Sequence, residues 1–552
     1  MHVVLSTLHE GGVRLTTLVV DGADFARTDV QDVPRVALAP LIRDMEQRPQ
    51  PPRWVWSDTA VWYPRLLGEG VSVARCVDLR LCHAILRASA ATASSDLATA
   101  PSSVWDGPRS ATPVAGLFEL EPAADGDPVE EFLLQQRALK QTDGRLGLLL
   151  AAESAGALVA AEMTFAGVPW RADEHERILA DMLGPRPFAG YRPSKLEAKL
   201  GEVRAALEVP ELNPDSPGEL MKALHGAGIV AQSTRSFELA EIDHPAIEPL
   251  LEYKKLARLM TANGWNWLDT WVAHGRFRPT YIPGGVVTGR WASDGGGALQ
   301  LPHQVRDAVR ADPGWTLVVA DAAQLEPRIL AAMAGDNAMA IAGHGGDLYE
   351  GMVTAGAVET RQQAKYGMLG AMYGGTTGES GRMLPRLARA FPRAIGLVEH
   401  AARAGERGER VSTWLGRTSP APGASWRQAQ DEASDDGASA ALQSSARGQA
   451  RSWGRFTRNF VVQGTAAEWA LSWMASVRMR LRTLYDGTLT DGPHLAFFLH
   501  DEVMVHTPKA LAPQVADILE QAAADAGRLL FPGSPVDFRV TVAVVDSYAD
   551  AK

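Results

Sequence analysis

Three groups of residues in this chain have the types and spacing for chemistry. Asp321 ends an apolar run, Thr316 to Ala320, and is followed by Gln324, Glu326 and Arg328. A strand holds a carboxylate at its end rigidly, as a metal site requires, and Mg²⁺ selects hard carboxylate oxygens. The same aspartate, standing before Ala-Ala-Gln-Leu-Glu, also reads as a helix N-cap. Asp501 and Glu502 lie at the tip of an apolar hairpin, Phe497 to His506. Aspartate is common in turns, yet His500-Asp501-Glu502 sets three polar groups in a row between apolar segments. Arg361, Lys365, Leu369 and Tyr373 stand four apart in TRQQAKYGMLGAMYGG and share one helix face. Two stacked cations repel each other unless an anion lies over them. A triphosphate is such an anion, with Arg and Lys as its natural ligands; a solvated basic edge is the plainer alternative. Together the three groups match what phosphoryl transfer needs: carboxylates for two metals about 4 Å apart, and cations for the remaining phosphate charge.

The elements that must hold these residues are legible in outline. At 552 residues, with 46% hydrophobic and 22% charged residues, the chain has the size and composition of a soluble protein of two or more domains. The apolar runs read as short and interrupted, so no transmembrane helix and no membrane partner are expected. The start, MHVVLSTLHEGG, lacks the pattern of a signal peptide. Two cysteines, Cys76 and Cys82, cannot build a disulfide framework or a four-thiolate site, which fits a cytoplasmic protein. The net charge of −11 weighs mildly against a nucleic-acid partner, but phosphates meet a local surface. Arg447, Arg451, Arg455 and Arg458 form one locally basic segment, and Lys254, Lys255 and Arg258 another. VVLSTL and VRLTTLVV read as strands, and WYPRLL as helical. Residues 88–113, rich in Ala, Ser, Thr and Pro, read as a flexible linker. Residues 128–230 have helical spacing, and PAIEPLLEYKKLARLMTANGWNWLDTWV reads as one long helix opened by Pro245. PTYIPGGVVTGRWAS reads as β-rich, TLVVAD as a strand followed by the helix LEPRILAAMAG, and residues 418–450 as a mobile loop.

Seven ordered segments carry a family resemblance. VVADAAQLEPRILAAMAGD, RQQAKYGMLGAMYGG and FFLHDEVMVH resemble the three polymerase motifs of family A DNA polymerases. TGRWAS, LQLP, VSTWLGR and NFVVQGTAAE agree in the same order. The resemblance covers about 160 to 552 and is of the bacterial DNA polymerase I type. It implies template-directed addition of dNTPs to a primer on primer–template DNA, with two Mg²⁺ ions, by a monomer at the bacterial nucleoid, in replication or repair. Asp321 and Asp501 match the metal-binding aspartates, with the backbone carbonyl of Ala322 as a further ligand, and Glu502 matches the neighbouring acid. Arg361 and Lys365 match the residues that grip the triphosphate, and Gln324 stands in the same nucleotide site. Glu326 matches the steric gate against a ribose 2′-hydroxyl, bonded in the family to the residue matching Tyr373. Arg290, Asn459 and Gln463 match minor-groove readers near the primer end, His500 a primer contact, and Arg455 belongs to the basic DNA-facing segment.

The chain departs from the pattern in places. Leu369 replaces the aromatic that stacks on the incoming nucleotide, Ala322-Ala323 replaces Tyr-Ser, and Pro327 replaces Leu, tolerable in a first helical turn. RWVWSDTAVWYPRLL…VARCVDLRLCHAIL resembles the family's 3′–5′ exonuclease domain, but its first strand has no Asp-x-Glu. Val61 or Trp62 stands where the second motif has its aspartate, and no Tyr-x3-Asp lies between Pro128 and Gln141. The domain is therefore expected to have lost its metals, although Asp58, Asp78, Glu130 and Glu131 are acids nearby. No 5′-nuclease domain is expected. The expected fold is α+β: an RNase H-like exonuclease-type domain over 1–150, then a right-hand polymerase over 151–552. Its thumb spans about 190–290, its palm about 291–340 and 455–552, its fingers about 341–454. The alternatives are a bifunctional exonuclease–polymerase with unusual acids, a non-catalytic primer–template binding protein, and a single-subunit RNA polymerase, against which Glu326 argues.

Overall fold

The computed structural model describes residues 1–8, 11–22, 24–107, 126–297, 301–375, 378–435, 437–499 and 501–551, without the side chains of 378–380. Helices and strands are mixed throughout, and the chain divides into two compact units. The first contains Met1–Ala166, Thr280–Ser293 and Val318–Val544; the second contains Gly167–Pro279, Asp294–Leu317 and Val545–Lys552.

The chain opens with five strands, β1 (His2–Thr7), β2 (Val13–Asp21), β3 (Asp24–Val33), β4 (Arg53–Trp56) and β5 (Cys76–Asp78), in the order β3-β2-β1-β4-β5. The first three pair antiparallel, whereas β1, β4 and β5 run parallel. Val3, Val4 and Leu5 of central β1 are all buried, as expected of a strand covered on both faces. Trp54 and Trp56 of β4 are fully buried in the same core; truncating either to alanine would cost about 3–5 kcal/mol. Residues 88–107 are not the flexible linker their composition suggests. Ser89, Ser95 and Ser103 cap three short helical turns, and Leu97 and Trp105 anchor the segment in the interior. Its small polar residues act as caps, which composition alone does not distinguish from linker; residues 108–113 lie outside the described residues.

The Arg145–Ala166 helix is, among the described residues, the one element long and apolar enough to cross a membrane, with mean hydropathy 1.5. Its apolar run is longer than the sequence reading allowed, but 72% of that window is buried inside the protein. Two buried acids on it, Glu153 and Glu162, pair with Arg417 and Arg478 of the first unit.

The second unit is mainly helical: helices Ser194–Ala206, Pro217–Gly226 and Ile247–Asn263 surround a leucine-rich core, and helix Ala172–Leu183 precedes them. Three short strands, β6 (Val168–Pro169), β7 (Val272–Ala273) and β8 (Arg276–Phe277), close it. The segment expected as one long helix is two, Ile247–Asn263 and Trp265–Trp271. Gly264 leaves the helical conformation between them, where a Cβ would stand 2.2 Å from the Met260 carbonyl oxygen.

The chain also forms a two-stranded sheet of β9 (Thr280–Ile282) and β10 (Ala292–Asp294) and a four-stranded sheet. That sheet consists of β11 (Trp315–Ala322), β12 (His494–Leu499), β13 (Glu502–Pro508) and β14 (Val540–Val545), ordered β12-β13-β11-β14. The region read as a mobile loop over 418–450 holds the Ala424–Ser434 helix and the start of the 42-residue Ala440–Leu481 helix. Its Ala, Gln and Arg residues favour helix but bury almost nothing, so no apolar periodicity announces it.

Candidate active site

β11 is buried from Thr316 to Ala320 and delivers Asp321, half-buried, near its end. The turn between β12 and β13 carries Asp501, half-buried, and β13 opens on Glu502, buried. The Ala322 N–H donates to the Asp501 carbonyl at 2.9 Å, so both aspartates stand at one end of two neighbouring strands. Asp321 lies within β11 and is not the cap of the next helix. That position belongs to Gln324, which adopts a left-handed conformation (φ 47°) before the Leu325–Ala334 helix. A non-glycine residue there costs about 1–2 kcal/mol. Gln324 offsets it with side-chain bonds to Asp347 (3.2 Å) and the Leu348 N–H (3.3 Å).

Glu326 sits in the first turn of that helix, with Pro327 beside it where no intrahelical N–H is needed. Its carboxylate pairs with Arg290 and accepts the Tyr373 hydroxyl at 2.8 Å. Gln463, from the Ala440–Leu481 helix, bonds the same phenol. Burial, and then the charge of Glu326, push the Tyr373 phenol up to about 12, so it stays a donor at neutral pH. Two distant segments thus meet on one carboxylate, and a third reaches the phenol bonded to it. Arg328 has a different part: its guanidinium, 1% exposed, donates to the carbonyls of Ala323, Gly343, Gly346 and Asp537 and braces the turn beneath Asp321.

The Arg361–Tyr373 helix begins at Thr360, whose hydroxyl accepts the Gln363 N–H. Ala364, Gly367, Met368, Gly370, Ala371 and Met372 form its buried face. Arg361, Lys365 and Tyr373 are exposed and Leu369 half-buried, so the four-spaced row is the outward face. Arg361 pairs with Asp347 through Nε at 3.2 Å and Nη2 at 2.7 Å. This hydrogen-bonded pairing raises the Arg361 pKa further. The helix ends at Gly374 (φ 77°), where a Cβ would stand 2.5 Å from Cγ of Arg455; the Arg455 stem covers the helix end. Arg447 and Arg451 are exposed, but Arg458 is buried against the Ala371 carbonyl and Glu399 and is structural. The half-buried Asn459, one turn before Gln463, has its amide oxygen buried without a partner among the described residues. His500 lies outside the described residues.

Among the described residues no three His, Cys, Asp or Glu side chains cluster as a metal site. Two carboxylates and a backbone carbonyl nevertheless suit Mg²⁺, which keeps waters and takes substrate phosphates as its other ligands. The thiols of Cys76 and Cys82 are buried, which pushes their pKa values up and makes them poor ligands. In the N-terminal sheet region, Asp58 accepts the Ala60 N–H at 2.9 Å, and Asp78 accepts Thr59 at 2.8 Å and Leu81 at 3.0 Å. Both act as helix caps. Glu131 is bonded to His83 at 2.8 Å, Glu130 is exposed, Val61 is exposed and Trp62 buried.

Asp347 and Glu468 are contributors that the sequence reading did not single out. Asp347-Leu-Tyr-Glu350 has the spacing of a capping box, a signal for a helix start and not for a partner of Arg361. Glu468 accepts from Thr413 Oγ1 and from the Leu415 N–H at 3.0 Å, tying the Gln463 segment to the VSTWLGR segment.

The chain is similar in sequence to known proteins. The thermostable DNA polymerase I of Thermus thermophilus is 26% identical over 325 residues, 52% of this chain and 35% of that protein. That of Thermus filiformis is 25% identical over 417 residues, 69% of this chain and 41% of that protein. DNA polymerase I of Deinococcus radiodurans is 25% identical over 391 residues, 62% and 37% respectively. The matched part thus spans between 35% and 41% of the length of these relatives. A solved structure, the POL domain of Pol1 from M. smegmatis in complex with DNA primer–template and dNTP, superposes with TM-score 0.69 at 17% identity. The match covers 100% of this chain and 96% of that one, a likeness of fold that fits the right-hand architecture. The model of DNA polymerase family A matches residues 194–550, and the chain belongs to that family.

Proposed function

We propose that this chain is a template-directed DNA polymerase that joins a primer 3′-hydroxyl to the α-phosphate of a dNTP and releases pyrophosphate. The observation that carries the reading is the Ala322–Asp501 backbone bond, which sets Asp321 and Asp501 side by side at one sheet end. Held by Asp321, Asp501 and the Ala322 carbonyl, two Mg²⁺ ions would activate the attacking hydroxyl and screen the leaving oxygen. Arg361 and Lys365 bind the triphosphate, Lys365 nearest the developing charge. Leu369 gives the nucleotide apolar contact without an aromatic face. Glu326, held by Tyr373 and Arg290, fills the space that a ribose 2′-hydroxyl would need. Glu502 backs Asp501, and Gln324 fixes the turn behind Asp321. Arg290, Asn459 and Gln463 read minor-groove acceptors common to all base pairs, a check on pair geometry. His500 and Arg455 meet the primer strand and the DNA backbone.

The domain plan is an RNase H-like region over 1–150 and a polymerase over 151–552, with thumb, palm and fingers at the boundaries given above. The strand order β3-β2-β1-β4-β5, antiparallel and then parallel, supports the first part. We read its exonuclease as inactive: β1 carries no carboxylate, and Asp58 and Asp78 are engaged as caps. The protein acts as a monomer in the bacterial cytoplasm, on nucleoid DNA. The test is a primer–template given Mg²⁺ and one dNTP at a time. Incorporation should follow the template base; no template-directed incorporation under any dNTP would contradict the reading.

A further inference from the structure

We propose that Asp347 is a positioning residue that orients Arg361 toward the triphosphate and locks it to the strand end carrying Asp321. The inference rests on the polymerase reading above and names how its nucleotide site is built. Asp347 precedes the Leu348–Thr354 helix, and its Oδ1 accepts the N–H groups of Tyr349 (2.8 Å) and Glu350 (3.0 Å). That double cap fixes the carboxylate. Its Oδ2 faces the other way and takes Arg361 Nε at 3.2 Å, Arg361 Nη2 at 2.7 Å and Gln324 Nε2 at 3.2 Å.

One carboxylate therefore joins three segments: the start of the outward cationic helix, the left-handed turn three residues after Asp321, and a helix N-terminus. An ordinary surface ion pair contributes little, because two long side chains must be immobilised for one contact. Here the carboxylate is already immobile, and Gln324 shares the oxygen that holds Arg361. Arg361 is half-exposed and would otherwise sample several rotamers. Asp347 occupies two of its five N–H donors through the Nε edge, leaving the Nη1 side for phosphate oxygens. The guanidinium also lies over the Tyr349 ring, 5.7 Å from its centre, which restricts its plane. Partial burial works against ionisation of Asp347, but the bonds from Arg361 and the helix amides outweigh it and hold the carboxyl below its usual range.

Asp347→Asn separates positioning from folding. Asparagine caps a helix as well as aspartate does, so its oxygen can keep Tyr349 and Glu350. Its amide N–H₂ then faces Arg361 and Gln324, donor against donor. In steady-state primer extension the variant should raise the KM for dNTP at least fivefold and change kcat less than twofold. Primer–template Kd and Tm should match wild type. In an Arg361→Ala background the same substitution should change KM less than twofold, because the group it positions is gone. An unchanged or lowered KM, or an equal rise in the Arg361→Ala background, would overturn the proposal while leaving polymerase activity in place. A loss of Tm with parallel loss of kcat would make Asp347 a folding residue and also overturn it. Failure of wild type to extend any primer would instead remove the polymerase reading, and this inference with it.

Discussion

Glu468→Gln should remove a loss of stability that the wild-type protein suffers as pH rises. Glu468 is fully buried in the Ala440–Leu481 helix, and burial raises its carboxyl from an ordinary 4.5 to about 7, against the bonds from Thr413 and Leu415. Its folded pKa lies above its unfolded one. Below about pH 4.5 the group is protonated in both states, and its contribution to stability is whole. As pH rises the unfolded chain ionises first, and the contribution falls until pH passes about 7. At roughly 1.4 kcal/mol per pH unit, the gap from 4.5 to about 7 is worth about 3 kcal/mol. Glutamine mimics the protonated acid: its oxygen can accept from Leu415, and its amide can donate to Thr413 Oγ1. Urea unfolding of both proteins at pH 5 and pH 8 gives the comparison. Wild type should lose about 2–3 kcal/mol more than the variant between the two. A difference under about 0.5 kcal/mol would show that Glu468 is ionised in the folded state at pH 5, and the reasoning from burial would fail.

Glu326→Ala should admit ribonucleotides, lowering the dNTP/rNTP preference by about 1–3 kcal/mol of discrimination; an unchanged ratio of kcat/KM values would move selection elsewhere. Leu369→Phe should tighten dNTP binding through ring stacking, whereas Lys365→Ala should mainly slow single-turnover incorporation; untouched nucleotide kinetics in Leu369→Phe would contradict the outward row 361–365–369–373. Purified protein should show no metal-dependent 3′–5′ degradation of single-stranded DNA or of a mismatched primer end. Degradation that survives Asp501→Ala but vanishes when Asp58 and Asp78 are replaced would assign those caps a catalytic role.

The parts of the site that follow a local rule were legible in the sequence. An apolar run ending in one acid is β11 with Asp321, and a row spaced by four is the outward face of the Arg361–Tyr373 helix. The Asp501 turn stands out because polar residues interrupt two buried strands. Other features depend on partners far along the chain. The pairing of Asp347 with Arg361 and of Glu153 with Arg417 leaves no periodic trace. Arg458 reads like its basic neighbours, yet the turn it occupies faces the carbonyl of Ala371. The break at Gly264 was missed because the apolar pattern continues through Trp265, Trp267 and Leu268 on the far side. Residues 88–107, 424–434 and 440–450 show the converse: a few anchors, or helix propensity without an apolar face, order segments whose composition suggests none.

The most direct measurement is primer extension by Asp501→Ala protein beside wild type, with primer–template binding measured on the same samples. The Asp501 backbone carbonyl, which accepts the Ala322 N–H next to Asp321, is kept by alanine, so the substitution removes the carboxylate alone. Extension should fall below a few per cent of wild type while the Kd for primer–template changes little. Extension near the wild-type rate in the variant would contradict the assignment of this sheet end as the reaction centre.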